Sequence, residues 1–478
     1  MPISSDEYSS FDAIAMADLV QRGEVTALEL VEEAIARIET HNGTLNAVIT
    51  PMYDHARMQA GKTLPVGPFS GVPFLMKDFC AEVAGFPFTE CSSFLRDYVP
   101  DEDSELYRRI CNAGLVSIGK TNLPEFAIGA TTEPRLFGAT KNPWDITRTT
   151  GGSSGGAAAA VATRIVPMAH GNDIGGSIRI PASCCGLVGL KPSRGRSSTA
   201  PHYGDIVAGF FSEHVLTRSV RDSAAMLDAI QGPAVGEPYY APSPQRPFIE
   251  EVKHDPGKLK IGFSTKTPFG DDIHPDCVKA VQDTARVLES LGHIVEEAVP
   301  CYAAERLWRN FTSLLASGVA WAIADWARRI NKEPTADDFE SFVWAFAERG
   351  RSLSSADYLL AMQDVQFEVR AFSKFFEEYD LFMTPTLGKP PVELGTLVFQ
   401  GDPIELRRKT SEFSPYTYVS NVTGQPAISL PLHWNDQGLP VGVHFVARYP
   451  DDAILFRLAA QLEQAKPWAD RIPPICNS

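Results

Sequence analysis

Apolar and polar positions along the chain follow two different periods. Thr26 and Glu29 form a capping box, and apolar residues then recur at helical spacing at positions 28, 31, 35 and 38. The same reasoning predicts further helices at 103–113, 274–291 and 453–464, and predominantly helical chain over 303–377. Short apolar runs predict strands at 46–50, 69–77, 115–118, 258–264, 293–297, 381–384, 427–432 and 440–447.

Strands alternate with helices over the whole length, which predicts an α/β protein layered around one large sheet. The chain of 478 residues shows no internal repeat. A proline-rich stretch at 232–248 is typical of a surface connection, but the strand–helix pattern continues beyond it. We therefore expect a single domain over 1–478, with an N-terminal helical segment at 1–60.

Charge and composition narrow the function classes. Lys and Arg number 43 against 59 Asp and Glu, a net charge of −16 that repels phosphate backbones and anionic lipid. Nucleic acid and the membrane are therefore not expected as main partners. We read no secretion signal in the first residues, and no apolar run has the ~18 residues of a membrane span. The eight cysteines form no CxxC pair, so we expect a reduced cytoplasmic enzyme.

Two motifs match the sequence patterns of well-known sites, but the secondary structure that should flank each motif is not predicted. Residues 114–121 match the phosphate-binding P-loop, but a helix precedes them and Pro124 falls where the next helix should begin, which favours a strand ending in a turn. Residues 151–155 match the GxSxG nucleophile elbow, but the preceding run at 142–150 is polar and turn-like. The ten histidines leave a Ser-His-Asp arrangement open. No metal-ligand spacing occurs, and His170 is interpreted as a structural residue, so no metal is predicted.

Three segments together carry the candidate chemistry. Residues 71–78 place Lys77 after an apolar run. Residues 149–156 form a glycine–serine loop that contains Ser153 and Ser154, and an alanine-rich run that favours a helix follows it. Residues 171–182 form a second glycine-rich loop around Ser177.

This combination resembles the amidase signature family of Ser-Ser-Lys amide hydrolases. Stretches at 137–144, 189–196 and 421–442 are also similar to that family, so the likeness extends from about residue 10 to about residue 465. Residues 132–134, 169–173 and the C-terminal stretch look closest to its 6-aminohexanoate cyclic dimer hydrolase (nylon-oligomer) subgroup. The resemblance implies an α/β/α sandwich in which helices cover both faces of a large mixed β-sheet. Thr150, Asn172 and Ile174 depart from residues that are usual in the family.

The resemblance also implies a role for each residue. Ser177 would be the nucleophile, Lys77 its general base, and Ser153, which follows a cis peptide bond in the family, the bridge that passes the proton. Lysine can act as a base only as the neutral amine, yet it normally titrates near ~10.4. Burial beside residues 74–76 and the N-terminus of the helix after Ser153 would both lower that pKa.

The remaining roles concern the second glycine-rich loop. Its backbone N–H groups would form the oxyanion hole, contributed by Ile174, Gly175, Gly176 and Ser177. Ser154 would hydrogen-bond near the bridge, whereas Asp173 and Arg179 would brace the loop. No cofactor is expected.

The substrate is less constrained by the sequence. We expect pocket walls from aromatic-rich segments, among them a helical region at 300–415, which suggests small apolar or aryl amides. Linear and cyclic oligoamides, carbamates and esters are also open as substrates.

The alternative function is a subunit of a tRNA-dependent amidotransferase, which the acidic charge disfavours. A catalytically inactive binding protein is disfavoured by the intact Lys77, Ser153 and Ser177. A monomer or homodimer is expected. The candidate pocket segments are 79–94, 126–137, 203–211, 308–344 and 413–418.

Overall fold

A computed structural model describes residues 3–398 and 401–477 and contains an extended mixed β-sheet. The strands are β1 (Val48–Pro51), β2 (Pro73–Lys77), β3 (Val116–Thr121), β4 (Lys141–Asn142), β5 (Asp145–Thr149), β6 (Met168–Asp173), β7 (Val188–Lys191), β8 (Ser212–Thr217), β9 (Lys260–Phe263), β10 (Ile294–Glu297), β11 (Leu381–Pro385), β12 (Ala427–Trp434) and β13 (Pro440–Ala447).

Helices connect most of these strands. They are α1 (Ser5–Ser10), α2 (Ala13–Gln21), α3 (Ala27–Leu45), α4 (Tyr53–Ala60), α5 (Glu105–Asn112), α6 (Gly155–Ala162), α7 (Arg179–Cys185), α8 (Val220–Ile230), α9 (Phe248–Glu251), α10 (Pro275–Ser290), α11 (Ala304–Ile330), α12 (Ser341–Arg351), α13 (Ser355–Ser373), α14 (Pro403–Phe413), α15 (Thr417–Thr423) and α16 (Asp452–Ala465).

Eleven strands form one sheet in the order β1-β3-β2-β6-β8-β7-β12-β13-β11-β9-β10. Strand β2 runs parallel to β3 and β6, whereas β8 is antiparallel to β6 and β7, so the sheet is mixed as predicted. Every residue of β2, β3, β6, β7 and β8 is buried. Because successive side chains point to opposite faces of a sheet, this burial means that both faces are covered at its centre.

Local sequence signals explain the best-predicted elements. The Thr26–Glu29 capping box is present at the start of α3, with the Thr26 hydroxyl accepting from the Glu29 N–H. The alanine-rich run after Ser153 forms α6 as expected, since alanine has the highest helix propensity. Residues 114–121 are a turn followed by strand β3, which confirms that the P-loop match is fortuitous.

The sequence predicts the wrong structure for one segment and gives no prediction for three strands. The run at 142–150 is predicted to be turn-like, but β5 pairs with β4 in a separate two-stranded sheet. Strands β6, β7 and β8 are not predicted, because small and polar residues hide the apolar pattern that normally marks a buried strand. Their burial comes from pairing with neighbouring strands on both sides and from helices, with α6 packed on β6 and α8 packed on β8. Among the described helices, none is long and apolar enough to span a membrane.

Candidate active site

The three glycine- and lysine-bearing segments meet at one edge of the sheet. Strand β2 ends at Lys77 and its parallel neighbour β6 ends at Asp173, so both chains emerge on the same side. The serine-rich loop before α6 lies against them, because the Ser154 N–H donates to the Ser177 carbonyl oxygen at 3.2 Å. The topology thus brings together residues separated by about a hundred positions in sequence.

Lys77 is fully buried, and its amine contacts three side chains. Its Nζ atom lies 2.7 Å from Ser153 Oγ, 3.0 Å from Ser154 Oγ and 2.6 Å from Asn172 Oδ1. No carboxylate forms an ion pair with this amine in residues 3–398 and 401–477. The groups that contact the Lys77 amine directly are therefore polar but carry no formal charge.

The hydrogen-bonding capacities of these partners assign the protons on Nζ. The Asn172 amide donates from Nδ2 to the Phe79 carbonyl at 3.3 Å, which leaves Oδ1 to accept from Lys77. The Ser154 hydroxyl donates its one proton to the backbone carbonyl of Asn172 at 3.4 Å. Its oxygen therefore also accepts from Lys77. A neutral amine has two N–H bonds and one lone pair. The lone pair is then directed at Ser153, whose hydroxyl is able to donate.

Burial lowers the pKa of Lys77 to about 7, since desolvation disfavours the ammonium form. The negative charges of Glu213 and Asp173 act in the opposite direction but do not cancel this effect. Helix α6 begins at Gly155, directly after the serines that contact Nζ, and the positive end of its dipole disfavours an ammonium group further. Lys77 can therefore take up and release a proton near neutral pH.

His170 orients the strand that carries Lys77. Its Nδ1 atom accepts from the Lys77 backbone N–H at 3.2 Å, so the other ring nitrogen, Nε2, carries the proton and donates to Glu213 at 2.8 Å. The three residues are buried. His170 is hydrogen-bonded and structural, as expected, but the sequence does not indicate Glu213, because that residue lies on the unpredicted strand β8.

Asp173 and Arg179 hold the loop around Ser177. The two side chains form a fully buried ion pair with Nη2–Oδ1 at 2.8 Å and Nε–Oδ2 at 3.0 Å. Arg179 also donates to the Thr417 carbonyl at 2.8 Å and to Asn421 Oδ1 at 2.6 Å, which ties the loop to α15. Burial alone would raise the pKa of Asp173, but Arg179 and Asn421 hold it well below its ordinary value.

Some backbone N–H groups of the loop around Ser177 already have a hydrogen-bond acceptor, and others do not within the described residues. The Gly176 N–H donates to Asp173 Oδ1 at 2.8 Å and is already satisfied within the loop. In the described part of the chain, no hydrogen bond occupies the N–H groups of Ile174, Gly175 and Ser177. The peptide bond between Gly175 and Gly176 is also held at its carbonyl oxygen. The Thr417 hydroxyl donates to this Gly175 oxygen at 2.6 Å and so fixes the orientation of the peptide.

Ser177 is only partly buried and opens onto a cavity of about 70 Å³. Its hydroxyl makes no hydrogen bond within residues 3–398 and 401–477, to Ser153 or to any other group. The cavity is mostly apolar and has three polar side chains from α14 and its end. Its lining residues are Ala127, Ile128, Gly129, Ala130, Ile174, Gly175, Ser177, Ile180, Phe311, Leu315, Phe342, Phe346, Arg407, Thr410 and Ser414.

Most residues named from the sequence lie in this one site. Lys77, Ser153 and Ser154 are in hydrogen-bond contact, and the Gly152–Ser153 peptide bond is cis, as the resemblance implied. The segments at 79–94 and 203–211, expected in the pocket, do not line this cavity. The sequence marks Asn172 only as a departure from the family pattern. Its alternation with His170 on β6, which places both side chains on one face beside Lys77, could have revealed its contact.

The sequence profile of the amidase family matches residues 29–456. The 6-aminohexanoate-cyclic-dimer hydrolase of Paenarthrobacter ureafaciens is 38% identical over 98% of this chain and 97% of its own length. The structure of a 6-aminohexanoate cyclic dimer hydrolase complexed with substrate superposes with a TM-score of 0.93 at 38% identity, covering 98% of this chain and 100% of that one.

More distant structures share the same architecture. A bacterial aryl acylamidase of the amidase signature family superposes with a TM-score of 0.86 at 26% identity, over 98% of both chains. A glutamyl-tRNA(Gln) amidotransferase subunit of Thermotoga maritima gives a TM-score of 0.79 at 25% identity, over 98% of this chain and 97% of that one.

Proposed function

Because this chain belongs to the amidase family, we propose that it hydrolyses carbon–nitrogen amide bonds through an acyl-enzyme formed on Ser177. The observation that carries the proposal is the buried Lys77 amine, which lies 2.7 Å from the Ser153 hydroxyl. An amine in that position, with a pKa of about 7, is a base that works near neutral pH.

Acylation begins with proton removal from Ser177. The Ser177 hydroxyl turns toward Ser153, which is feasible because no hydrogen bond holds it within the described chain. The proton of Ser177 passes to Ser153 while Ser153 passes its own to Lys77. Ser177 Oγ then bonds to the substrate carbonyl carbon and forms a tetrahedral intermediate.

The intermediate carries a negative oxygen that needs hydrogen-bond donors. We assign this role to the N–H groups of Ile174, Gly175 and Ser177, whereas the Gly176 N–H supports the loop through Asp173. The carbon–nitrogen bond breaks as Lys77, now an ammonium, returns the proton through Ser153 to the departing nitrogen. Water then attacks the ester on Ser177 by the same relay and releases the acid.

The cavity favours substrates with an apolar portion beside the scissile amide. Its walls include Phe311, Leu315 and Phe346, whose side chains would contact an aliphatic or aryl group of the substrate. The similarity to an enzyme named for a cyclic 6-aminohexanoate dimer and to an aryl acylamidase supports aliphatic and aryl amides as the substrate class. The amidotransferase role is not favoured, because the match to the Thermotoga maritima protein is more distant and the net charge is −16.

Labelling with a serine-directed fluorophosphonate tests the nucleophile. We expect one adduct, mapped to Ser177 by peptide mass spectrometry, in a purified single chain that hydrolyses anilides. The Ser177→Ala variant should lose the adduct and the activity, whereas Ser290→Ala, at an exposed serine, should keep both. An adduct on another serine, or undiminished anilide hydrolysis by Ser177→Ala, would refute the proposal.

A further inference from the structure

Arg407 lies on α14 and lines the same cavity as Ser177. Its guanidinium packs over the ring of Phe311, with Cζ 5.2 Å from the ring centroid. Phe311 in turn stacks on Tyr418, with centroids 5.1 Å apart and an interplanar angle of 24°. Aromatic packing thus holds the guanidinium at the cavity wall.

This guanidinium has no anionic partner in residues 3–398 and 401–477. Among the described residues it forms no ion pair, and its buried Nε atom has no hydrogen-bond acceptor. The acidic residues of α14 interact elsewhere: Glu405 lies 3.7 Å from Lys409, and Glu412 lies 3.8 Å from Lys389. Within the part of the chain that the structure describes, the buried Tyr418 hydroxyl also has no hydrogen-bond partner.

Arg179, the other arginine beside the loop around Ser177, has the anionic partner that Arg407 lacks among the described residues. Arg179 is fully buried and forms an ion pair with an aspartate. It also donates to a backbone carbonyl, a serine hydroxyl and an asparagine amide oxygen. Arginine is rarely buried unless it is paired, because desolvation of its charge is costly without an anion. The ring of Phe311 offsets only part of that cost. Arg407, which is half-buried, therefore has an unused Nε donor in a mostly apolar wall that also carries Thr410 and Ser414.

We infer that Arg407 binds a carboxylate of the substrate, separated from the scissile amide by an apolar chain. The inference rests on the proposed amide hydrolysis at Ser177 and names its substrate class. A carboxylate matches the planar fork of a guanidinium, and bonds between charged groups in a partly buried site are strong. The apolar residues Phe311, Leu315 and Phe346 would contact the chain that joins the two ends.

Matched substrate pairs test this inference. Adipic acid monoanilide and hexananilide release the same aniline and differ only in the terminal carboxylate, which lies on the acyl side. The pair ω-acetamidohexanoate and N-hexylacetamide places the carboxylate on the amine side. In at least one pair we expect kcat/KM for the acid to exceed that for the neutral compound by roughly 10- to 100-fold.

Substitution at Arg407 should remove that preference. The ratio of the two kcat/KM values should fall by roughly 10- to 100-fold in Arg407→Met and by less in Arg407→Lys, which keeps the charge without the fork. Arg408→Met, at the exposed neighbour on the same helix, should leave the ratio unchanged. No preference for the acid in either pair, or a preference that survives in Arg407→Met, would overturn the inference.

A binding measurement separates this inference from the proposed function. In the Ser177→Ala background, calorimetry should show tighter binding of the acid than of its neutral counterpart in the pair that wild type prefers. If no amide is hydrolysed but the acid still binds selectively through Arg407, amide hydrolysis fails and the carboxylate site stands. If neutral and acidic amides are hydrolysed and bound equally well, the carboxylate site fails and amide hydrolysis stands.

Discussion

Lys77 and Lys191 occupy similar positions but different surroundings. Each is the last residue of a central strand, each is buried, and burial lowers the pKa of each to about 7. Lys77 faces two serine hydroxyls and an amide oxygen, whereas Lys191 donates to the carbonyl oxygen of Pro192 at 2.7 Å. In the proposed mechanism, the feature that distinguishes Lys77 from Lys191 is therefore a hydroxyl that can donate to the lone pair of the neutral amine.

Lys120 shows a third outcome for a buried lysine. Its Nζ lies 3.4 Å from Asp78 Oδ1, and desolvation still lowers the pKa of this lysine although Asp78 opposes the shift. It donates to the Pro87 carbonyl at 2.6 Å, not to a hydroxyl. Of these three lysines, only Lys77 has the geometry of a general base.

The largest expected effect is that of removing the Lys77 amine. Lys77→Met should lower kcat for an anilide by roughly 10²- to 10⁴-fold, the range typical of a general acid–base group. The loss should be smaller for a nitrophenyl ester, whose leaving group departs without protonation. Steady-state kinetics on both substrates check this, and equal losses would contradict the role of Lys77 as the acid for the leaving nitrogen.

The pH dependence of the unmodified enzyme is the next largest effect. Only neutral Lys77 can accept a proton, and its pKa is about 7. The value of kcat/KM should therefore rise with pH through about 7 and level off above it, and it should lie roughly 100-fold below the plateau at two units lower pH. Initial rates with hexananilide in buffers of constant ionic strength measure the profile. A pH-independent rate from the acid side through 7 would exclude a lysine base.

A new charge beside Lys77 should shift this profile in a defined direction. In Asn172→Asp, a carboxylate would replace the amide oxygen that lies 2.6 Å from Nζ. The negative charge favours the ammonium and should raise the pKa of Lys77 by roughly 1–3 units, so activity at pH 7 falls at least about fivefold and recovers in alkali. Asn172→Ser is the neutral control, with no comparable alkaline shift. An acidic shift in the aspartate variant would disprove the assigned contact.

The smallest effect is expected at Lys191. In Lys191→Met a chain of similar volume replaces an amine that donates to the backbone carbonyl of Pro192, so kcat for an anilide should stay within about threefold of the unsubstituted enzyme. Kinetics and thermal unfolding, compared with Lys77→Met, check the result. A loss as large as that in Lys77→Met would show that burial of a neutral amine matters irrespective of its neighbours.

Local sequence signals predict part of the fold. The α/β class followed from alternating strand and helix patterns, and α3 and α6 followed from a capping box and an alanine-rich run, because these signals are local. Strands β6 and β8 were missed because their residues are small or polar and their burial depends on neighbours distant in sequence. The contacts of Asn172 and Glu213 near Lys77 were missed for the same reason.

The sequence by itself determined the chemical groups: a lysine at the end of an apolar run, two glycine–serine loops and the family to which their combination belongs. Only the tertiary structure decided which lysine meets a hydroxyl, that the Gly176 N–H is engaged by Asp173, and that Arg407 has no anion beside it among the described residues. The physical reason is that hydrogen-bond partners and desolvation depend on groups brought together by the sheet order, which local sequence patterns do not encode.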